Sequence, residues 1–245
     1  MKHYLKNKEG DVKYTVDMYC GHPNMVGNST ASVGCDGKCE HCEYGVAQLL
    51  NCDRNSDILK NVVHKTLGDI ALTVCAIVDN RENLISTKIL KSMVEKWRKT
   101  ETDIFNEALE NTYRATPPRI YKWEGVLCDE SYAGESFMND EDVCDLDKSF
   151  SGNILSTTRK TNGAVAVFLP GVAEKISELL DSDFYMVFTS IHEVMIHSTG
   201  SGVDLKDLKL VLQDTLREAT PSSDYLTEKI YKYNRRTHKF ECVTD

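Results

Sequence analysis

Five of the nine cysteines fall between Cys20 and Cys52, and that crowding constrains the fold more than any other feature of the 245 residues. They stand as Cys20-Gly-His22, then Gly34-Cys35-Asp-Gly-Lys-Cys39-Glu-His-Cys42, then Cys52. Gly34 and Gly37 free the backbone to curl, so that successive thiolates can point at one centre. A soft, thiolate-rich site of this density suits zinc or an iron–sulfur cluster. Disulfides fit less well, because the cysteine count is odd, the spacing is tight and no export signal precedes it. Three thiolates at Cys35, Cys39 and Cys42 need a fourth ligand. Cys20, His22 or Cys52 could supply it, and Cys20, placed after an expected strand, is preferred. Four cysteine ligands leave no open position for water, so such a zinc stabilises a fold rather than catalysing a reaction.

The rest of the composition narrows the class. No apolar run approaches the roughly 20 residues that cross a bilayer, and the basic start, Met1-Lys-His-Tyr-Leu-Lys, has no apolar core behind it. The expected setting is cytoplasmic, with no membrane partner. The formal net charge of −9, from 38 acidic and 29 basic side chains, repels a phosphate backbone and disfavours general nucleic-acid binding. The acid is concentrated in 129–148, from Asp129 to Asp147, where no basic residue intervenes. That stretch reads as a solvated, mobile connector. A nucleic-acid mimic, a docking strip for a basic partner and a hard-cation site are the alternatives there.

Periodicity gives the elements. Val12, Tyr14, Val16 and Met18 alternate, and Lys8-Glu-Gly10-Asp11 is a turn signal before them, so residues 2–19 suggest a hairpin. Ala47-Gln-Leu-Leu-Asn-Cys52 reads as a short helix closing the cysteine module. Asp69 to Val78 is nearly all apolar and β-branched, as in a central strand, with Cys75 a small core residue. Ser86 or Thr87 would cap a helix bearing Ile89, Leu90, Met93, Val94 and Trp97. Thr102 would begin another, ended by Thr116-Pro117-Pro118. Asn153 to Thr158 and Ala164 to Leu169 read as paired strands around an Asn162-Gly163 turn of the type I′ kind. Pro170-Gly171 then opens a helix. Phe184 to Phe188 and Val194 to His197 read as strands, Asp204 starts a helix, and Lys229 to Tyr233 pairs with His238 to Val243. Strands and helices alternate but hairpins abound. The expected fold is therefore α+β, a mixed, mostly antiparallel sheet with packed helices, beside a small metal-stabilised module. The expected division is a zinc module over 1–55 and an α+β domain over 56–245.

Thr161-Asn-Gly-Ala-Val-Ala-Val-Phe-Leu-Pro-Gly-Val-Ala-Glu174, Ser190-Ile-His-Glu-Val194 and Ile230-Tyr-Lys-Tyr-Asn-Arg235 resemble an uncharacterised bacterial family of unknown function found in gut Gram-positive bacteria. His64 to Ala71 and Glu107 to Thr112 are similar as well. The resemblance spans about residues 58–240 and leaves the cysteine module outside. It implies a fold and a bacterial or mobile-element setting, and no activity.

Ser190-Ile-His192-Glu193 is the polar cluster within the apolar second half. His192 and Glu193 offer a base and an acid, but neighbours on a strand point to opposite faces. The zinc-protease helix pattern would need a histidine three residues after Glu193, and His197 falls one residue late. The cluster therefore reads as a turn-stabilising set of hydrogen bonds, with an enzyme site around His192 and Glu193 as the alternative. Cys35-x₃-Cys39-x₂-Cys42 also matches the cluster spacing of radical S-adenosylmethionine enzymes, though the downstream chain lacks the expected run of strand–helix units. Phosphate-loop, dinucleotide and nucleophile-elbow motifs are absent. The reading that these features favour is a non-enzymatic, zinc-stabilised protein-binding or regulatory protein, such as an inhibitor in host–phage conflict, with a protein partner.

Overall fold

The computed structural model describes residues 2–6, 12–17, 23–25, 45–79, 85–97, 99–129 and 131–244. The chain forms two compact units, one from 1–47, 57–64 and 73–111, the other from 48–56, 65–72 and 112–245. Helices and antiparallel sheets make the fold α+β.

Three strands, β1 (Lys2–Lys6), β2 (Val12–Asp17) and β3 (Pro23–Met25), form an antiparallel sheet in chain order. Leu5 stands opposite Tyr14, so the expected hairpin pairing is present. The next strand, β4 (Gly45–Asn51), corrects the sequence reading of residues 47–52 as a short helix. Ala47, Leu49 and Asn51 are buried while Gln48 and Leu50 are half-buried, the two-residue period of a strand. A one-turn helix, α1 (Ser56–Leu59), precedes β5 (His64–Leu67), the long β6 (Ile70–Asp79) and β7 (Ile85–Lys88). These strands form a sheet in which β6 is flanked by β4 and β5 and also pairs with β7. As its apolar run demands, Ile70, Ala71, Val74 and Cys75 are all buried.

Two helices follow, α2 (Lys91–Trp97) and α3 (Glu101–Ala115). The first begins later than its apolar spacing suggests. Ile89 donates its N–H to Val74 and accepts from Val63, so the backbone there is committed to strand-like bonding. Thr100 caps α3, its hydroxyl oxygen accepting the Asp103 N–H, while the Thr100 N–H and hydroxyl donate to the Asp103 carboxylate and hold it below the usual range.

The second unit is built on a six-stranded antiparallel sheet of order β13-β12-β10-β11-β9-β8. Its strands are β8 (Pro118–Tyr121), β9 (Asn153–Thr157), β10 (Phe184–Val187), β11 (Val194–Ser198), β12 (Ile230–Asn234) and β13 (Lys239–Cys242). Its helices are α4 (Trp123–Cys128), α5 (Val172–Leu180) and α6 (Leu205–Glu218). Register places Tyr121, Ile154, Met195, Val187 and Ile230 side by side across five strands. Leu208 and Leu212 of α6 pack on that row.

Residues 163–168 correct the sequence reading. They form a 3-10 helix rather than a strand paired with β9. Gly163 to Val167 is buried throughout, and a continuous apolar run has no alternation to separate strand from helix. The Asn162-Gly163 pair does not close a hairpin. Asn162 sits in the left-handed region at φ 55°, and a Cβ on Gly163 would meet Ser156 Oγ at 2.0 Å and the His192 carbonyl at 2.7 Å. Only glycine lets the chain pass there.

The acidic stretch is also more than a solvated connector. Phe137 is 1% exposed, and Leu146 and Cys144 are buried with it. Several of its carboxylates organise turns. Asp129 accepts from the Ser131 N–H and hydroxyl, Asp142 from the Asn139 N–H and the Ser136 hydroxyl, and Asp147 from the Ser149 N–H. Those bonds hold the Asp129 and Asp142 carboxyls below the usual range. Acidic side chains serve here as local acceptors for turn N–H groups.

Within the same unit, Asp69 accepts from the Tyr231 hydroxyl at 2.5 Å and from the Thr227 hydroxyl at 2.8 Å. Asn51 Nδ2 donates to the Leu226 carbonyl at 2.9 Å, and Arg54 stacks over the Tyr225 ring. Burial and the Asp69 carboxylate push the Tyr231 phenol upward, so it stays a hydrogen-bond donor.

Candidate functional site

The turn between β10 and β11 separates the two residues that sequence singled out as an acid–base pair. His192 Nδ1 accepts the Asn162 N–H at 3.0 Å, and its Nε2 lies 3.4 Å from Asp224 Oδ2. The His192 carbonyl accepts from the Ser156 hydroxyl at 2.7 Å, and its N–H donates to Ser190 Oγ at 3.0 Å. Ile191 adds two backbone bonds, one to Ala164 and one to Asp224. His192 therefore staples the entry of the 3-10 helix to this turn. Glu193 has different surroundings: its Oε1 accepts from the Thr189 hydroxyl at 3.0 Å, and it lines a cavity that His192 does not. The turn does not bring the pair to a common point, in keeping with the alternation of a strand.

That cavity, about 540 Å³, gathers Glu193, His197, Asp204 and Asp207 in the second unit. Strand alternation puts Glu193, Met195 and His197 on one face, where Val187 joins them from β10. Leu208 and Leu212 of α6 close the apolar side. Trp123, Phe150 and Val211 stand at the edge, 44%, 73% and 63% exposed. Asp204 and Asp207 contribute from the start of α6. Asp204 caps that helix by accepting the Lys206 N–H at 2.7 Å, the role its sequence position suggests. Apolar walls with a few polar groups are the usual make-up of a ligand pocket, and the volume falls in its usual range.

His197 is the unexpected member. It is 6% exposed, and among the described residues its buried Nδ1 has no hydrogen-bond partner. Burial lowers its pKa, against the opposing effects of a Phe150 backbone hydrogen bond and the Asp147 carboxylate, so the ring is neutral near pH 7. Gly152, at φ 68°, packs against the ring; a Cβ there would approach Nδ1 and Cε1 to 2.6 Å. A second cavity, about 650 Å³, shares Trp123 and Ser151 with the first and is lined by Lys122, Glu124, Asp145 and Asn153.

Sequence reasoning weighs His197 only as a misplaced protease histidine and singles out no role for Trp123. The alternation Glu193-x-Met195-x-His197 was the signal available. It marks one face of a strand, but it does not say which helix covers that face.

The metal ligands expected at Cys20, Cys35, Cys39 and Cys42 lie outside the described residues, as does His22. Cys52, the other alternative ligand, is half-buried after β4, and burial with the Asp69 and Asp53 carboxylates raises its thiol pKa. Among the described residues no group of three or more His, Cys, Asp or Glu side chains could hold a metal ion. No described helix is long and apolar enough to cross a membrane.

The chain belongs to the family of unknown function DUF5688, whose model matches residues 41–235. The match starts earlier than the resemblance over about residues 58–240, so Cys42, Cys52 and β4 fall inside it and Cys20, Cys35 and Cys39 outside. No curated protein and no solved structure matches the chain.

Proposed function

We propose, starting from membership of that family, that this chain is a non-enzymatic, cytoplasmic binding protein of bacterial or mobile-element origin, and that the cavity beside α6 receives a segment of a protein partner. The carrying observation is the pocket itself: an apolar floor at Val187, Met195 and Leu208, with three large apolar side chains left exposed at its edge. Water-exposed apolar groups around a concavity are characteristic of binding sites. The state of His192 supports binding over catalysis, because both ring nitrogens already face protein groups. An inhibitor acting between host and phage fits the acidity and the small size of the chain.

The N-terminal module enters this reading as a scaffold. Cys20, Cys35, Cys39 and Cys42 would hold one zinc ion, which organises a segment too short to bury a large core. Elemental analysis of protein purified without chelator is expected to find one zinc per chain, falling to none in C39S. A brown, iron-containing protein would replace zinc with an iron–sulfur cluster at Cys35, Cys39 and Cys42. For the cavity, a partner retained by the wild-type chain is expected to be lost from W123A, since Trp123 is exposed and its removal leaves the core intact. Equal retention by both would move the interface elsewhere.

A further inference from the structure

Charge around the α6 cavity has one sign. Glu193, Asp204 and Asp207 line it, and among the described lining residues there is no lysine or arginine. Asp204 and Asp207 have a structural reason to be acidic, since they sit at the N-terminal end of α6, where the helix dipole favours negative charge. Glu193 has none. It lies in the turn before β11, half-buried against an apolar floor, and its partner among the described residues is the neutral Thr189 hydroxyl. A carboxylate drawn partly out of water beside apolar walls is unfavourable until a donor or a positive charge meets it.

His197 stands in the same wall with its Nδ1 packed against Gly152. It is more than nine-tenths buried, neutral, and its Nδ1 is unpartnered. The ligand's donor is therefore matched to Glu193, whose carboxylate is well suited to an N–H group. A metal ion is a poor match, because the carboxylates are spread around the cavity and do not converge as cation ligands would. The remaining surface, with Met195 and Leu208 inside and Trp123 at the edge, suits an apolar body, and an indole face attracts an organic cation.

We infer that the cavity beside α6 recognises a group that joins an apolar body to one protonated amine, supplied by a lysine among leucine-like neighbours in the partner. This rests on the reading of the cavity as a binding site. The amine answers Glu193, the apolar body covers the floor, and the acidic start of α6 adds longer-range attraction.

The test uses W97F, which leaves Trp123 as the single tryptophan reporter. The full-length protein is titrated with n-octylammonium, n-octanol and n-octanoate. Two short acetylated and amidated leucine peptides, one with a central lysine and one with a central glutamine, complete the set. Octylammonium is expected to bind about tenfold more tightly than octanol, the strength of one hydrogen bond to a charged group, with octanoate weakest. The lysine peptide should exceed the glutamine peptide by a similar factor. E193Q should bring octylammonium down to the octanol level and leave octanol unchanged. V211R, at an exposed helix position where arginine is well tolerated, should place a competing cation at the edge and weaken octylammonium by about tenfold as well. Equal affinity for the three octyl probes overturns the charge preference and leaves an apolar binding cavity. Octylammonium bound with both peptides excluded overturns the protein source. No saturable binding by any probe overturns the cavity reading itself, and the inference with it.

Discussion

The turn before β11 and the strand itself each carry a histidine, and the two are held in opposite ways. His192 is partly exposed, yet it ties segments together: Asn162 and Ser156 hydrogen-bond to it, and Asp224 Oδ2 lies 3.4 Å from its Nε2. His197 is nearly closed off from water, yet its Nδ1 has no partner among the described residues. Exposure alone would have suggested the reverse. A polar group that satisfies its neighbours can sit near the surface and still be structural, whereas a buried one left unpaired is a standing cost that a ligand can relieve.

The largest expected effect comes from crowding the second histidine. G152V forces a β-branched residue into the left-handed region and drives carbon into the His197 ring, which even a Cβ alone would approach to 2.6 Å. Unfolding in urea should show a loss of about 3 kcal/mol or more, from backbone strain and overpacking together. If G152V is tolerated, the ring is free to move and the wall is not rigid.

Removing the first histidine should cost less. H192A leaves the partly buried Asn162 N–H without its acceptor and is expected to lower stability by about 1–2 kcal/mol, with binding at the cavity unchanged. Full stability with binding abolished would make His192 part of the site and reverse the comparison.

The smallest effect is expected at His197. H197L removes an unsatisfied nitrogen and keeps the apolar volume, so stability at pH 7.5 should change by less than about 1 kcal/mol. The pH profile discriminates further. The folded pKa of His197 is lowered by burial, so its contribution to stability is complete above the unfolded value, about 6.5, and is lost as pH falls through the folded pKa. The wild-type protein should therefore weaken between pH 7 and the folded pKa more steeply than H197L. Parallel profiles would mean that the ring accepts its proton without penalty.

Sequence made some parts of this fold plain. Asp204 followed by Leu205, Leu208 and Leu212 specifies both the cap and the buried face of α6. The β12–β13 hairpin was legible from its two β-rich runs, and Asn234 explains its turn by accepting N–H groups from Arg236 and Thr237. The failures have physical causes. Gly163 to Val167 is surrounded by protein on every side, which erases the periodicity that distinguishes a helix from a strand. In 129–147 the acidic residues hide Phe137 and Leu146, because charge density reads as solvation although several of the carboxylates bond turn N–H groups. The cavity was the least visible. Glu193, Met195 and His197 are close in sequence, but α6 and Trp123 meet them only through the tertiary arrangement of the second unit.

The hydrogen bonds on Asp69 bear on how the protein is made. Tyr231 and Thr227, its donors, are 162 and 158 positions further along the chain. Leu226, which receives the Asn51 amide, is 175 positions beyond it. During synthesis, residues 48–56 and 65–72 emerge long before the strand that completes their unit, and loops of that length close slowly. Until β12 clears the ribosome, the Asp69 carboxylate has no Tyr231 hydroxyl to accept from. The second unit therefore cannot complete these bonds until Leu226, Thr227 and Tyr231 have been synthesised. Premature termination upstream of Leu226 would leave the early segments exposed to aggregation or proteolysis.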